Sequence, residues 1–201
     1  GFTVPAPQGR LGVLSTYFPL GVDHILRGVD HLMFVFALIL LVRNRRRFVA
    51  AVTAFTVAHS LSLAAATVGW IVVPAPPVEA VIALSIVFLA TEIAKRRAGA
   101  PSFTERQPWL VAFVFGLLHG FGFAGALSEV GLPANDIPLA LLLFNVGVEI
   151  GQLAFVLLIL LLERAFRLLE IHWPRIVERL PGYLVGTLGA FWTIQRVAGF
   201  V

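Results

Sequence analysis

Long apolar runs dominate the chain, and short polar or proline-containing segments separate them. A helix needs about 20 apolar residues to cross the hydrocarbon core of a bilayer. Six runs of about that length predict spans at about residues 18–42, 48–73, 78–94, 109–130, 137–162 and 180–197. We therefore predict an all-α, polytopic membrane helix bundle that forms a single transmembrane domain over residues 1–201. Because the connecting turns are short, consecutive helices are expected to be antiparallel neighbours.

Positive charge is distributed unevenly around these spans. Twelve of the 15 Lys and Arg residues lie at 43–47, 95–106 and 164–179, in the segments after the first, third and fifth spans. The positive-inside rule makes these segments cytoplasmic, so both termini are expected on the outer side. The outer segments 74–77 and 131–138 carry no Lys or Arg. This pattern predicts a multi-pass protein of the bacterial cytoplasmic (inner) membrane, with the lipid bilayer as a partner.

Composition excludes several other classes of protein. Hydrophobic residues make up 59% of the chain and charged residues 13%, a balance that a soluble domain of 201 residues would not carry. Topology signals explain the net charge of +4, so no nucleic-acid partner is predicted. Cysteine is absent, which leaves His, carboxylates, amides and backbone oxygens as ligands for any metal. The first residue is Gly rather than Met, so we allow for a missing N-terminal extension.

A four-residue motif, Gly-Val-Asp-His, occurs at residues 21–24 and again at 28–31, at the start of the first apolar run. The repeat spacing of seven residues is nearly two helical turns, so a continuous helix would place both Asp-His pairs on nearly one face. Ionisable groups inside a membrane usually face the protein interior or an aqueous cavity. The second pair, Asp30 and His31, is predicted at such a position. The first pair is expected near the outer headgroups, as an ordinary exposed pair or as an access site for cations.

Other predicted spans carry polar residues at a similar depth. His59 lies in the second span, His119 in a glycine-rich part of the fourth, and Glu149 in the fifth. Counting inward at about 1.5 Å per residue places these three near the bilayer midplane, together with Asp30 and His31. One buried histidine alone is most simply a packing residue. A shared depth across four helices favours a common site instead, of the kind in which transporters bind ions.

These positions define a candidate metal site. The predicted metal ligands are His24, Asp30, His31, His59, His119 and Glu149, and the predicted supporting residues are Asp23, Ser60, Asn145 and Gln152. The fifth histidine, His172, is expected in a cytoplasmic loop outside this site. Imidazole suits nickel, cobalt or zinc, whereas copper(I) prefers sulfur ligands, and the chain has no cysteine and one methionine. The predicted ligand is a divalent transition-metal ion.

Two classes of function fit such a site. The first is a membrane transporter for nickel or cobalt, or zinc, in which the metal ion is the substrate. The chain has no Walker phosphate loop, so it would be a facilitator or an ion-coupled carrier, or would use ATP through an accessory subunit. The alternative is an intramembrane zinc-dependent hydrolase that uses the same His/Asp cluster with Ser60. A sensor or an assembly subunit also stays open.

Glycines in the last span predict a close helix contact. Gly182, Gly186 and Gly189 recur at helical spacing. Small residues at such spacing let two helices approach closely in a membrane. The contact can form within one chain or between the chains of a homo-oligomer.

Segment 24–31, His-Ile-Leu-Arg-Gly-Val-Asp-His, resembles the His-Pro-x-x-Gly-x-Asp-His signature of the HupE/UreJ family, with Ile25 at the position of the proline. The members of this family are small membrane proteins linked to nickel supply for hydrogenase and urease. Residues 55–60, 115–124 and 144–152 are similar to a second branch of the family, so the resemblance covers most of the membrane core. The residues that it implies in nickel handling are His24, Asp30 and His31.

Overall fold

Every regular element of the described chain is an α-helix. The computed structural model describes residues 9–130, 136–168 and 174–199. The helices in these ranges are α1 (Arg10–Arg27), α2 (Val29–Leu41), α3 (Arg45–Thr67), α4 (Ala75–Arg97), α5 (Phe103–Arg106), α6 (Pro108–Val130), α7 (Ile137–Leu168) and α8 (Arg175–Ala198). The predicted all-α class is confirmed for the described residues.

The lengths and compositions of the helices bear on the predicted membrane spans. Among the described residues, α3, α4 and the part of α7 up to Phe166 are long and apolar enough to cross a bilayer. α1 and α2 together form a fourth candidate, which is bent by 70°. α6 offers a shorter apolar stretch, Pro108–Phe123, and α8 carries charged residues near both ends. The chain is thus a membrane protein with three to four candidate spans, and the six-span count and the outer location of both termini stay predictions.

The first predicted span, about residues 18–42, is not one straight helix, because it breaks at Gly28 into α1 and α2. The Gly28 N–H donates to the His24 carbonyl over 2.9 Å, and the Gly28 carbonyl accepts the Leu32 N–H over 3.0 Å. A Cβ on residue 28 would lie 2.8 Å from Nδ1 of His31 and 2.9 Å from the His24 carbonyl oxygen. Only glycine therefore lets the His31 ring pack against the bend. The two Asp-His pairs lie on different helices rather than on one continuous face.

Three helix pairs form most of the bundle, and in each pair the two helices are far apart in the chain. α1 packs on α7, α3 on α6, and α4 on α8, while the short α2 contacts α4, α7 and α8. More than half of the α2 side chains are buried, because α2 packs against helices of all three pairs. The expectation that consecutive long helices are the main neighbours was wrong, because the faces that pack closely belong to other helices.

Glycines bring the paired helices into close contact. A Cβ at Gly147 of α7 would collide with the Phe18 carbonyl of α1, and a Cβ at Gly116 of α6 would collide with the Phe55 carbonyl of α3. A Cβ at Gly189 of α8 would lie 3.1 Å from the backbone of α4. Small residues allow such approach between helices in lipid. The glycine-rich stretch of α6 is thus a packing surface, and the glycines of α8 make their close contact within this chain.

The two ends of the bundle differ in charge. Arg43, Arg96 and Glu163, at the ends of α2, α4 and α7, line one cavity of about 760 Å³. We call this the basic end, because Arg43, Arg45, Arg96 and Arg97 line this cavity and Arg179 lines a second one that shares Arg97. At the opposite end, the last turn of α8 lies beside the first turn of α4, where Arg196 donates to the Glu79 carbonyl over 2.8 Å.

Candidate metal centre

Three histidines from three helices meet inside the bundle. One ligand nitrogen from each of His24 (α1), His31 (α2) and His59 (α3) lies within 4.8 Å of the other two. The ring centroids of His24 and His31 are 4.8 Å apart, although seven residues of straight helix would separate their Cα atoms by about 10.5 Å. The bend at Gly28 thus brings His24 to the site. His24 is therefore not an ordinary exposed residue, and its depth in the membrane stays a prediction.

The spacing of these nitrogens is wider than in a closed metal site. Tetrahedral sites have metal–nitrogen bonds of about 2.0–2.1 Å, which places the donor atoms roughly 3.4 Å apart. The nitrogens must therefore approach one another by roughly 1.4 Å at most to reach the spacing of a closed site.

His31 is oriented by the residue before it. Asp30 Oδ1 accepts a hydrogen bond from the His31 backbone N–H over 2.9 Å and lies 3.0 Å from His31 Nδ1. A carboxylate only accepts hydrogen bonds, so Nδ1 carries the proton and Nε2 presents its lone pair. That Nε2 is buried and has no hydrogen-bond partner. A carboxylate behind an imidazole is the arrangement that orients metal-binding histidines in proteins.

Asn145 of α7 orients His59 in the same way. The Asn145 Nδ2 group donates to the Leu141 carbonyl over 2.8 Å, which leaves Oδ1 to face His59 Nδ1 at 3.1 Å. Because an amide oxygen only accepts, Nδ1 of His59 carries the proton. The Nε2 atom of this fully buried ring then has a free lone pair and no partner. The contact gives Asn145 a specific part in the site.

His119 of α6 packs against His31, with the ring centroids 4.6 Å apart. Ser85 of α4 donates its hydroxyl proton to the Ile82 carbonyl over 2.6 Å, so it can only accept from His119 Nε2, which lies 3.4 Å away. This contact favours a proton on Nε2 and leaves the buried Nδ1 without a partner. His119 does not belong to the group formed by His24, His31 and His59, and its ring packs beside that group.

Four imidazoles thus share one property, and we call them the histidine cluster: His24, His31, His59 and His119. Each keeps one buried ring nitrogen without a hydrogen-bond partner. A buried polar atom left unpaired costs about 1–3 kcal/mol, and native proteins keep few of them. Four neighbouring rings, each with such a nitrogen, indicate a site for a ligand that accepts lone pairs, which is what a divalent transition-metal ion does.

Two of the predicted residues on α7 lie apart from the cluster. Glu149 Oε1 accepts a hydrogen bond from Thr53 over 2.8 Å, and the group of candidate ligands found among the described residues does not include Glu149. Gln152 is fully buried and accepts from Thr56 over 3.1 Å. Equal depth in the membrane did not bring Glu149 to the histidines, because its helix turns this side chain toward α3.

The remaining predicted residues make local contacts. Asp23 pairs with Arg27 one turn later over 2.6 Å, on an exposed part of α1. Ser60, which the hydrolase hypothesis places beside the metal, donates to the Thr56 carbonyl of its own helix over 2.6 Å. His172 lies outside the described residues.

A cavity of about 210 Å³ reaches the histidine cluster from the end of the bundle opposite the basic end. Its lining includes His24, His31, His119, Asp30, Glu79 and Arg196. The Glu79 side chain is 50% exposed, that of Arg196 24% and that of Asp30 18%, whereas His119 is 1% exposed. The cavity therefore leads from solvent past Glu79 to the imidazoles. Among the described residues, Glu79 lines this cavity, and Asp23 does not belong to its lining.

Phenylalanine rings close the other side of the cluster. Phe34, one turn after His31, has its ring centroid 5.6 Å from that of His119 and 5.2 Å from that of Phe55. Phe115 packs against Phe34 at 5.9 Å. On each of these three helices, the phenylalanine lies nearer the basic end than the histidine of the same helix does. We call Phe34, Phe55 and Phe115 the aromatic floor, because they separate the cluster from the basic end.

Sequence reasoning missed Arg196 and gave Ser85 no role. Arg196 Nη2 lies 3.2 Å from Asp30 Oδ2, so the cavity contains a cation beside the candidate ligands. A signal for it was present: twelve of the 15 Lys and Arg fall in the predicted cytoplasmic segments, and Arg196 is one of the remaining three. A positive charge that departs from the positive-inside rule needs a local partner.

The sequence matches a known protein family along nearly its whole length. No curated protein and no solved structure matches the chain. A family model described as HupE / UreJ protein matches residues 4–196, which include the histidine cluster and every helix that supplies it. The chain belongs to the HupE/UreJ family.

Proposed function

We propose that this chain carries a divalent transition-metal ion, nickel or cobalt first and zinc next, across a bacterial cytoplasmic membrane. The HupE/UreJ family is associated with nickel and cobalt transport. The observation that carries the proposal is the histidine cluster, in which four imidazoles each keep a buried nitrogen without a hydrogen bond. The ion is the substrate, held by His24, His31 and His59, with His119 as a further ligand.

The chemistry of the cluster suits a cargo that must also leave. Neutral imidazole nitrogens bind nickel, cobalt and zinc well. Asp30 is the carboxylate in direct contact with a cluster ring, so it offsets only part of the charge of a divalent ion. Conduction needs binding that is favourable but not too strong. Protons compete with the metal for the same lone pairs, so acidification on the receiving side would promote release.

The two sides of the cluster support a carrier mechanism. The cavity opens the cluster toward Glu79, and the aromatic floor closes it toward the basic end. A carrier with alternating access needs one such state and a second one with the opposite opening. Transport then requires the aromatic floor to part while the Glu79 side closes. With the basic end in the cytoplasm, the direction is import.

Metal binding to the purified protein tests the site. We expect about one nickel ion per chain, and we expect His31→Ala or His59→Ala to weaken affinity about tenfold or more, since even a partner of a ligand contributes about 10–100-fold. His172→Ala is the matched control, because the sequence places this histidine in a loop, and its affinity should equal that of the parent. Equal metal content in the His31→Ala variant and the parent would show that the ring only packs.

Uptake into liposomes separates a transporter from other metal-binding proteins. Liposomes that contain the parent protein and a metal-sensitive dye are expected to admit nickel. Asp30→Asn should lose most of this uptake, because the amide no longer offsets charge behind His31. Asp136→Asn, in the segment before α7, is the control and should transport normally. A parent that binds nickel but admits none would exclude transport and favour a hydrolase or a sensor.

A further inference from the structure

Arg196, near the end of α8, connects three helices at the narrow part of the cavity. Its Nη2 lies 3.2 Å from Asp30 Oδ2 on α2, and its Nη1 donates to the Glu79 carbonyl on α4 over 2.8 Å. Its Nε lies 4.0 Å from the Glu79 carboxylate. The guanidinium is therefore held between two carboxylates, one 18% and the other 50% exposed. We call this contact region of Asp30, Glu79 and Arg196 the neck.

The guanidinium of Arg196 places a positive charge at the neck. This charge opposes the entry of a metal cation. Asp30 contacts both His31 Nδ1 and Arg196, so one carboxylate links the guanidinium to the histidine cluster. A divalent ion bound at His31 would face the positive charge of Arg196 in a partly buried cavity, where charges are screened less than in bulk water. The ion and Arg196 therefore compete for Asp30.

A second carboxylate is in place to receive the displaced guanidinium. Glu79 is the more exposed of the two, and Arg196 already donates to its backbone oxygen. Rotation of the Arg196 side chain about this bond exchanges the Asp30 carboxylate for that of Glu79. The exchange leaves no charge unpaired and moves the guanidinium toward solvent. This rotation would give the neck a second arrangement, which ligand binding would favour.

We propose that Arg196 is the gating residue of the cavity. In the metal-free protein it pairs with Asp30 and narrows the route to the histidine cluster. A divalent ion bound at His31 draws on the negative charge of Asp30 through the imidazole and repels the guanidinium, and Arg196 moves to Glu79. This inference rests on the proposed function, because the competing cation is the transported ion, and it adds the residue that controls access to the site.

Because the chain has no cysteine, one introduced thiol can report on the neck. Ile82 lines the cavity one turn deeper than Glu79 and is 3% exposed, so Ile82→Cys places the thiol behind the neck. The measurement is the rate of alkylation by iodoacetamide, a neutral reagent, in metal-free protein. Arg196→Gln is expected to raise this rate about tenfold, because a charged contact no longer holds the neck closed. Loss of a nearby positive charge lowers the thiolate fraction, so a faster rate reports access.

Two further variants make the alkylation experiment decisive. Arg179→Gln is the matched control, since it makes the same change on α8 near the basic end, and it should leave the rate unchanged. Asp30→Asn removes the other side of the contact and should raise the rate as Arg196→Gln does, with no further gain in the double variant. It also tests the neck if Arg196→Gln does not fold. A parental rate in either neck variant overturns the proposal.

Nickel affinity adds a readout that a purely structural contact would not improve. Arg196→Gln is expected to bind nickel about tenfold more tightly, because no cation competes for Asp30. Arg196→Lys keeps the charge and should stay near the parental affinity. Weaker binding by Arg196→Gln would make Arg196 a structural tie and overturn the gate. A parent that binds no nickel would overturn the proposed function, whereas the metal-free alkylation rates would still decide whether Arg196 closes the cavity.

Discussion

At the scale of single residues, the choice of tautomer decides whether these histidines can bind a metal. A neutral imidazole offers one lone pair, and the hydrogen bond at the other nitrogen fixes its position. For His31 and His59 that partner is an oxygen that only accepts, from Asp30 and from Asn145. The amide of Asn145 is itself turned by its bond to the Leu141 carbonyl. In the metal-free protein, the Nε2 atoms of His31 and His59 therefore already present free lone pairs.

This tautomer argument predicts the effect of changing Asn145. Asn145→Ala should weaken nickel binding about tenfold or more, because partners behind ligating histidines contribute about 10–100-fold. Asn145→Asp keeps an acceptor oxygen at Nδ1 and should retain affinity. Calorimetric titration of the purified variants with nickel measures both.

Gln152→Ala is the matched control for this experiment. Gln152 is another buried amide on α7 that bonds a side chain of α3, but it contacts Thr56 instead of a histidine. It should therefore bind nickel like the parent. Equal losses in the Asn145→Ala and Gln152→Ala variants would mean that packing of α7, rather than the orientation of His59, explains the effect.

Much of the histidine cluster could be predicted from the sequence, because depth can be counted along a helix. His31, His59 and His119 were placed at one height in this way, and they meet in the structure. Depth along a helix does not give the direction in which a side chain points. The set of ligands predicted from depth therefore contains Glu149, although its side chain lies apart from the histidines. The contact of Arg196 with Asp30 could not be predicted, since it joins residues 166 positions apart.

At the scale of helices, close backbone contacts decide the arrangement. The apolar runs predicted where the helices lie, because burial in lipid requires continuous apolar helix. They did not predict the break at Gly28, since a glycine in an apolar run is compatible with an unbroken helix as well. The pairing of α3 with α6 could not be predicted from the apolar runs either, because it depends on which face of each helix carries glycine. The positions and the type of the helices can thus be predicted from the sequence. Helix bends and helix pairs depend on contacts between distant parts of the chain.

The contact between α3 and α6 predicts a difference between two glycine substitutions. Gly116→Ala would drive a Cβ into the Phe55 carbonyl, so it should destabilise the protein by about 1–3 kcal/mol, as overpacking does. Gly186→Ala is the matched control, because its Cβ would meet only the Ala90 Cβ at 3.4 Å. Alanine favours helix over glycine by about 1 kcal/mol, so this variant should be neutral or more stable. Thermal unfolding in detergent measures both, and equal midpoints would contradict the close packing of α3 and α6.

At the scale of the whole molecule, the two ends have different roles. The cavity and its neck lie at one end, and the arginines that define the basic end lie at the other, beyond the aromatic floor. The described ends of α4 and α8 are tied together where Arg196 donates to the Glu79 carbonyl. The orientation of any one of these helices in the membrane therefore fixes the side on which the cavity opens.

Single cysteines at the two ends of α4 test this orientation. Ala75 and Ala98 flank the same helix, and both are exposed. In intact cells, a membrane-impermeant maleimide is expected to label Ala75→Cys and to spare Ala98→Cys until the membrane is permeabilised. The physical reason is that segments rich in Lys and Arg, such as residues 95–106, which include Ala98, stay in the cytoplasm. The two variants are each other's control, because they make the same substitution at exposed sites.

The labelling pattern also decides which side of the membrane the cavity faces. Outer labelling of Ala75→Cys would place the cavity mouth outside, because Glu79 lies one turn further along α4 and lines that cavity. Nickel would then meet the neck from outside, bind the histidine cluster and leave through the aromatic floor into the cell. Labelling of Ala98→Cys alone would contradict the positive-inside assignment. The same cavity would in that case open to the cytoplasm, and this state of the protein would exchange its ion on that side.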